Sequence, residues 1–501
     1  MSCRNCGFID VLPTEPQLQN TKSSDGLISQ ILRGSRALLE SDHALLNAEI
    51  VELEQLQTLY AAQLEEIQLR RCAVLTALES RKSIFAPIRR LPRDILIEIF
   101  HSVCDSWWPD KVQPHAHHSL NVSGPLWVLG RVCGMWRDTL QSSPASWARK
   151  LVVRTSFSQY ALEKLQTYLE HTGEHLLNLQ ILCNNPPGYH AILSLLFQSC
   201  HRWKNLRIFA SKLHMPFFES ISSLPALQTI DIDIYDDYGF DYRSDMCLSA
   251  PQLWRASLSQ HGIHQIKLLP RITHLSESIT CPEDLRLLAE LPNLRRCHLL
   301  TRLTTTDLPE VTVAQLTHLY VGDINILSVL SAPLLSSLTI APVSQVFLSS
   351  SQRESIARFL HRSRCHLESL SLGKAIFTSS ADSSIFALEA CSTVSRLKLE
   401  LPAWMVFSVV EALTSPSVLP NLHHLIICIP QHSDDEWTTI LRMARSRRDA
   451  GLLKSVEVQF KEERYEYFWE EDIQALAGDD FEMRVEKWDP PCRDYYLWHL
   501  S

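Results

Sequence analysis

The chain has 501 residues, too long for one ordinary domain, and its 45% hydrophobic and 21% charged composition is that of a globular protein. The formal net charge of −9 and the lack of a long basic run argue against a nucleic-acid partner. No stretch reaches the roughly 18 apolar residues of a membrane span, and the first residues lack the apolar segment of a signal peptide. We therefore expect no membrane association and a cytoplasmic or nuclear location.

Fourteen cysteines are scattered along the chain, and many of them lie inside apolar runs. This pattern predicts reduced, buried thiols in an intracellular protein. The cysteines on which this expectation rests are Cys72, Cys133, Cys297, Cys391 and Cys428.

Residues 1–26 contain Pro13 and Pro16 and have little periodicity, so we expect a flexible tail. Within it, Cys3 and Cys6 have the spacing of a metal-binding pair. No second pair of cysteines or histidines follows nearby, and one pair cannot complete a four-ligand zinc site. We therefore predict no metal there.

Residues 27–84 predict one long coiled-coil-like helix, because no proline interrupts residues 27–82 and apolar residues recur seven apart. One seam is almost wholly apolar, and the other is half polar. At about 1.5 Å per residue the helix would reach on the order of 80 Å. Two interpretations stay open: self-association through 27–82, or a helix that folds back on the rest of the chain. The apolar seam comprises Leu32, Leu39, Leu46, Leu53, Tyr60, Ile67 and Val74.

Residues 87–150 contain three apolar clusters separated by prolines and glycines. The first begins at Leu91-Pro92 and predicts a helix from Pro92 to about Val103, since proline is tolerated at a helix start. A second cluster surrounds Trp136, and a third follows Pro144.

These residues resemble the F-box. The motif segments, in chain order, are Leu91-Pro92, Ile99-Phe100, Val132-Cys133-Gly134-Met135-Trp136-Arg137 and Pro144-Ala145-Ser146-Trp147. The resemblance implies a three-helix module that docks on a Skp-type adaptor and, through it, on a cullin-based ubiquitin ligase. The long preceding helix is similar to that of F-box proteins of mushroom-type fungi. The residues implied to bind the adaptor are Leu91, Pro92, Ile95, Leu96, Ile99, Phe100, Val132, Cys133 and Trp136.

The stretch from Asp105 to Gly124 departs from the F-box pattern, because the family joins its first two helices by a short link. It contains His115, His117 and His118, but no carboxylate or thiol stands at ligand spacing beside them. We expect a surface loop rather than a metal site.

From residue 151 to 501 the chain repeats the pattern apolar-x-x-apolar-x-apolar at steps of 19 to 32 residues. The last two positions alternate, as a strand with one buried face requires. Helical segments such as Ser355–His361 and Asp434–Arg447 lie between copies. The period resembles that of an irregular leucine-rich-repeat solenoid. Its copies begin at Leu176, Trp203, Leu227, Leu253, Ile272, Leu294, Leu316, Leu335, Leu367, Val394, Leu422 and Leu453, and the fold class is mixed α/β.

No catalytic motif stands out. There is no Gly-rich phosphate loop, no Gly-x-Ser-x-Gly and no His-Glu-x-x-His, so we expect neither an enzyme nor a cofactor. The basic cluster of Arg442, Arg445, Arg447 and Arg448 is interpreted as the solvated face of a helix.

Taken together, the two resemblances imply the substrate receptor of a Skp–cullin–F-box ubiquitin ligase, in which the repeats bind a target protein and other subunits perform the chemistry. An alternative is a non-degradative scaffold that uses the same F-box and repeats. The sequence does not identify the target.

Overall fold

The computed structural model describes residues 21–107, 118–154, 160–183, 190–235, 243–259, 261–301, 308–341, 350–377, 385–430, 434–460, 470–478 and 480–487. The chain divides into two compact units, Met1–Pro92 and Arg93–Ser501. Cys3, Cys6, His115 and His117 lie outside the described residues.

The first unit consists of helix α1 (Thr21–Leu32), helix α2 (Glu40–Ile84) and a short 3₁₀ helix, Pro87–Arg90. The prediction of one helix over 27–82 is therefore wrong. Helix α1 begins before residue 27, so the last residues of the expected tail are helical, and the chain leaves the helical path between Leu32 and Glu40.

Local hydrogen bonds explain the break between α1 and α2. Gly34 has a φ of +68°, its N–H donates to the Ile31 carbonyl (3.0 Å), and the Ser35 N–H donates to the Gln30 carbonyl (3.0 Å). This is a helix-ending motif that glycine adopts without steric cost. On the other side, Asp42 accepts the Leu39 N–H (3.1 Å) and starts α2.

The second unit contains twelve α-helices among its described residues, and short 3₁₀ turns join several strands. The helices are α3 (Arg93–Trp107), α4 (Pro125–Val132), α5 (Gly134–Gln141), α6 (Pro144–Ala148), α7 (Ala161–Thr172), α8 (His190–Gln198), α9 (Met215–Glu219), α10 (Pro282–Ala289), α11 (Ser350–Ser363), α12 (Ala403–Thr414), α13 (Asp434–Asp449) and α14 (Glu470–Leu476).

Sixteen strands accompany these helices in the described residues. They are β1 (Leu151–Arg154), β2 (Leu177–Cys183), β3 (Trp203–Ala210), β4 (Thr229–Ile234), β5 (Arg255–Leu258), β6 (His274–Ile279), β7 (Arg296–Thr301), β8 (Val311–Thr312), β9 (His318–Val321), β10 (Leu330–Ser331), β11 (Ser337–Ile340), β12 (Ser369–Leu372), β13 (Arg396–Glu400), β14 (His424–Ile429), β15 (Ser455–Phe460) and β16 (Glu482–Lys487).

Fourteen of these strands form one parallel sheet in the order of the chain, while β8 and β10 pair separately. Each strand of the large sheet therefore contacts only its neighbours along the sequence. The protein is mixed α/β with a parallel sheet, which confirms the coarse fold class predicted from the sequence.

The strand register explains why the apolar pattern recurs. The second apolar position of each copy pairs with the same position of the next copy and forms one continuous buried row. Helices contribute to the same core, for example through Ile356, Phe359 and Leu360 of α11. The row comprises Leu179, Leu206, Ile230, Ala256, Leu275, Cys297, Leu319, Leu338, Leu370, Leu397, Leu425, Val456 and Met483.

The first copy departs from the expected register. Leu176, predicted as its first apolar position, is 47% exposed, whereas Leu177 is fully buried and pairs with Trp203. The register between β2 and β3 shifts at Leu177 and Asn178. A shift of one residue exchanges the two faces of a strand, so the neighbouring strand decided which leucine is buried.

The predicted solvated face of α13 is wrong for Arg447. Arg442 and Arg445 are exposed, but Arg447 is fully buried. Its guanidinium donates to the carbonyls of Ser415 (2.9 Å) and Leu419 (3.3 Å) and also contacts those of Leu413 and Val418. Arg447 therefore satisfies carbonyls that the end of α12 and the following turn leave without helix partners.

The cysteines agree with the expectation in most positions. All eleven described cysteines are free thiols, and Cys297, Cys391 and Cys428 are buried. Burial raises the pKa of Cys391 and Cys428 to about 12, so these thiols stay protonated. Cys72 is exposed on α2, contrary to the prediction. In the part of the chain that is described, no helix is both long and apolar enough to cross a membrane.

Candidate functional site

Helix α3 carries an exposed apolar stripe. Ile95, Ile99 and Val103 stand four residues apart and are 44%, 37% and 42% exposed. Residues at this spacing lie on one side of a helix, so the three side chains form one row. Helix α3 begins at Arg93, directly after Pro92, as the sequence predicts within one residue.

Two of the residues implied to bind an adaptor lie on the other side of α3. Leu96 and Phe100 are fully buried, and the ring of Phe100 lies 5.0 Å from that of Trp136. These two side chains hold α3 in the core of the second unit, whereas the predicted contacts Ile95 and Ile99 are exposed. Leu96 and Phe100 position the exposed stripe and do not belong to it.

The other predicted adaptor contacts differ in exposure. Val132 is 55% exposed at the end of α4, whereas Cys133 and Trp136 are half-buried. Leu91 is 36% exposed and Pro92 is exposed, and both belong to the first unit. Ile95, Ile99 and Val132 are thus the predicted contacts that the second unit exposes, and Val103 extends their surface beyond the predicted set.

Trp147 anchors the short helix α6. It is 4% exposed, its indole N–H donates to the Leu140 carbonyl (3.2 Å), and its ring meets Trp127 and Tyr168 edge-on at 5.5 and 5.1 Å. The indole N–H of Trp127 donates to the Ser119 carbonyl (2.8 Å). The tryptophan of the Pro-x-x-Trp segment therefore has a packing role and joins helices α4–α7.

His118 is the described member of the three close histidines. It lines a cleft with His101, Cys104 and Trp127, and its buried Nδ1 has no hydrogen-bond partner among the described residues. Burial, then the charges of Arg154 and Lys164, lower the pKa of His118.

The sheet face opposite the core is a second candidate surface. Side chains alternate along a strand, so residues between the buried positions point away from the core. At one register, four successive strands place a cationic or titratable side chain: Arg255 on β5, His274 on β6, Arg296 on β7 and His318 on β9. We call these four residues the basic row.

Electrostatics within the basic row is repulsive. Burial lowers the pKa of His274 to about 4, and the charges of Arg296, Arg255 and His318 act in the same direction. Burial and Arg296 also lower the pKa of His318, against a weaker opposing effect of Glu368. The charged form of both imidazoles is therefore disfavoured: His274 stands between the guanidinium groups of Arg255 and Arg296, and His318 stands beside that of Arg296.

Comparison with known proteins gave no match to any protein-family model and no similar curated protein. The assignment of a function therefore depends on the residues and geometry described above.

Proposed function

We propose that the protein is the substrate receptor of a Skp–cullin–F-box ubiquitin ligase, acting inside the cell. The observation that carries the proposal is the exposed stripe of Ile95, Ile99 and Val103 on a helix that begins at the Leu91-Pro92 motif. Three aligned apolar side chains on a short helix expose surface that a partner would remove from water. An F-box docks on its adaptor through apolar residues of this kind.

In this proposal the helices over 87–150 form an F-box module and the repeats over 151–501 a leucine-rich-repeat-like solenoid. Support for the solenoid comes from the chain-ordered parallel strands and the continuous buried row. Each strand offers the same outward positions, so the sheet face is a long surface on which a target can lie. Tethering the target raises its local concentration near the ubiquitin-loaded subunits, so this chain needs no catalytic residue.

The basic row indicates the chemistry of the target. Arg255 and Arg296 stand on strands separated by one neighbour, which places two cationic groups close together on the outward face of the sheet. An acidic segment of a target would complement this arrangement. The proposed target class is therefore a protein with an exposed, carboxylate-rich segment.

The adaptor interaction is tested by two charge-introducing variants. Ile95→Asp with Ile99→Asp places two charges in the stripe, and Gln166→Asp with Ser222→Asp places two on exposed polar positions of the same unit outside α3. We expect the first variant to lose adaptor binding by at least tenfold, and the second to keep it. Affinity is measured with purified Skp-type adaptor, and circular dichroism checks that both variants are folded. Equal adaptor affinity of the parent and the stripe variant would refute the proposal.

The scaffold alternative is separated by a second measurement. A substrate receptor brings cullin into the complex and supports ubiquitin transfer to a captured protein, and a scaffold does not. Reconstitution with adaptor, cullin and the ubiquitin-transferring enzymes therefore decides between the two functions.

A further inference from the structure

Strand β6 of the large sheet has a charged residue at a buried position where its neighbouring strands have apolar residues. The third apolar position of each copy is Leu, Ile or Val in the neighbouring strands, but in β6 it is Glu277, which pairs with Leu258 on β5 and Leu299 on β7. Glu277 is fully buried. A carboxylate in an apolar row is costly unless a charge or a full set of hydrogen bonds compensates it.

A second buried carboxylate lies next to Glu277. Asp284 of α10 is also fully buried, and the loop before β6 bridges the two groups through consecutive N–H groups. The Ile263 N–H donates to Glu277 Oε2 (3.2 Å), and the His264 N–H donates to Asp284 Oδ1 (3.0 Å). Glu277 Oε1 is buried without a hydrogen-bond partner among the described residues. Burial, and then Asp284, raise the pKa of Glu277 well above its usual range, which favours its protonated form when no cation is present.

Two metal-ligating side chains meet Asp284 at this point. His264 Nδ1 lies 2.7 Å from Asp284 Oδ1, and Cys281 Sγ lies 3.4 Å from His264 Nδ1 and 3.7 Å from Asp284 Oδ2. The three ligand atoms lie within 4.8 Å of one another. Gly262 makes room for them, because a Cβ at this position would overlap the carboxylate of Asp284.

The geometry does not match a nucleophile activated by a histidine. In such a triad the nucleophile and the orienting carboxylate contact different nitrogens of the imidazole. Here the thiol and the carboxylate approach the same atom, Nδ1 of His264. The shared position is one that a single cation can occupy.

We propose that His264, Cys281 and Asp284 form a binding site for a divalent metal ion of the zinc class. Tetrahedral zinc with nitrogen, sulfur and oxygen ligands at about 2.0–2.3 Å keeps the ligand atoms roughly 3.3–3.6 Å apart. The distances from sulfur to Nδ1 of His264 and to Oδ2 of Asp284 are close to this range, whereas Nδ1 and the other oxygen, Oδ1, have to move apart by roughly half an ångström. The His264 side chain is 18% exposed, so the fourth position is accessible to water.

Binding balances the charges and protons of the site. The thiol of Cys281 loses its proton to solvent as the sulfur–metal bond forms. The Nδ1 proton of His264 moves to Nε2, so that Nδ1 offers its lone pair. One thiolate and the Asp284 carboxylate then neutralise the two positive charges of the ion.

The experiment uses the full chain with Cys3→Ser and Cys6→Ser. These substitutions remove the cysteine pair whose spacing could also bind the metal. Metal-free protein is titrated with Co²⁺, and the near-ultraviolet sulfur-to-cobalt charge-transfer band is recorded. We expect the band to saturate at one equivalent. It should disappear in Cys281→Ser and His264→Gln and persist in Cys200→Ser, a matched half-buried cysteine outside the site.

Cys281→Ser keeps the protein folded for this test, because Cys281 is the N-terminal cap of α10 and serine is a favourable cap. Zn²⁺ should raise the unfolding temperature of the parent and leave that of Cys281→Ser unchanged, since a ligand of the native state stabilises it. Absence of the cobalt band in the parent, or its persistence in Cys281→Ser, overturns the proposal. Neither result bears on adaptor binding, because the metal site does not depend on the proposed function.

Discussion

At the scale of single residues, His274 shows how neighbouring groups change the pKa of a histidine. Burial and the surrounding cations lower its pKa from 6.5 to about 4, and its ring lies 5.0 Å from Trp254, edge-on. The folded protein therefore keeps His274 neutral where the unfolded chain would take up a proton. The stabilising effect is complete above about pH 6.5 and is lost as the pH falls towards 4.

The lowered pKa of His274 predicts how the stability of the protein depends on pH. We expect His274→Gln to lose less unfolding free energy than the parent between pH 7 and pH 4.5, because the variant has no proton to gain at this site. His201→Gln, which replaces an exposed histidine, should follow the parent. Denaturant unfolding at a series of pH values provides the comparison. Parallel curves for the parent and His274→Gln would show that the row does not hold His274 neutral.

At the scale of secondary-structure elements, arginines join the repeats through helix ends. Arg447 of α13 donates to carbonyls at the end of α12, and Arg362 of α11 donates to the Leu327 carbonyl (2.9 Å) near the end of the 3₁₀ helix Ile324–Ser328. Arg202 donates to the Thr172 hydroxyl (3.1 Å) at the end of α7. In each case a cation from a later segment satisfies oxygen acceptors of an earlier one. Hydrogen bonds from a charged donor to helix-terminal carbonyls are stronger than neutral ones.

We expect Arg447→Met to lower the unfolding free energy by about 3 kcal/mol or more, because several carbonyls lose their buried donor at once. Arg445→Met, on the exposed side of the same helix, should stay within roughly half a kcal/mol of the parent. Denaturant melts of the two variants measure this difference. Equal losses would mean that solvent can replace the guanidinium of Arg447.

For helix α2 the sequence leaves two interpretations open: self-association, or a helix that folds back on the rest of the chain. Many of its apolar side chains are exposed, among them Leu53, Ile67 and Val74 at 47%, 61% and 67%. Apolar residues also lie off the seam, for example Leu69 and Leu75. We retain self-association as a proposal, with α2 (Glu40–Ile84) in place of the longer segment.

A 40–84 peptide should therefore associate in a concentration-dependent way in analytical ultracentrifugation. Leu46→Asp with Leu53→Asp should make it monomeric, since the two charges enter the seam. Ala48→Asp with Gln55→Asp adds the same charge on the far side of the helix and should leave association unchanged. A parent peptide that stays monomeric at high concentration would favour the alternative in which the helix folds back.

At the scale of the whole molecule, each strand of the large sheet pairs only with the strands before and after it in that sheet, so the effect of a core substitution should stay local. Leu370 of β12 is 2% exposed and pairs with Leu338 and Leu397, which confirms its predicted burial. Ser369 and Ser371 alternate with it and are half-buried on the outward face.

We expect Leu370→Ala to cost about 2–5 kcal/mol, the range of a core leucine, and Ser369→Arg with Ser371→Arg to change stability by no more than roughly half a kcal/mol. Hydrogen exchange in Leu370→Ala should accelerate first in strands β11 to β13, where the cavity lies. A larger loss in the serine double variant than in Leu370→Ala would contradict the register, and uniform acceleration across the sheet would contradict local coupling.

Most of the sheet could be predicted from the sequence because burial of a short strand is a local property. An apolar residue at every second position is enough to define one buried face, and this pattern located twelve of the strands that follow residue 176. Strand β1 and the small sheet of β8 and β10 were missed, because they are short or lack the full pattern. The end of helix α1 near Gly34 was not predicted, because single glycines occur inside helices as well as at their ends.

The sequence by itself determined the mixed α/β class, the recurring short strands and the apolar character of α3, since these depend on periodicity alone. Only the tertiary structure decided that Leu177 rather than Leu176 is buried, that Arg447 is an internal donor, and that Glu277 stands in an apolar row beside Asp284. A degenerate copy, with Ile272 and Leu275 but no third apolar residue, was the sequence signal for Glu277. Only the tertiary structure could decide the burial of Arg447 and Glu277, because a polar group is buried only where donors, acceptors or charges from distant segments approach it.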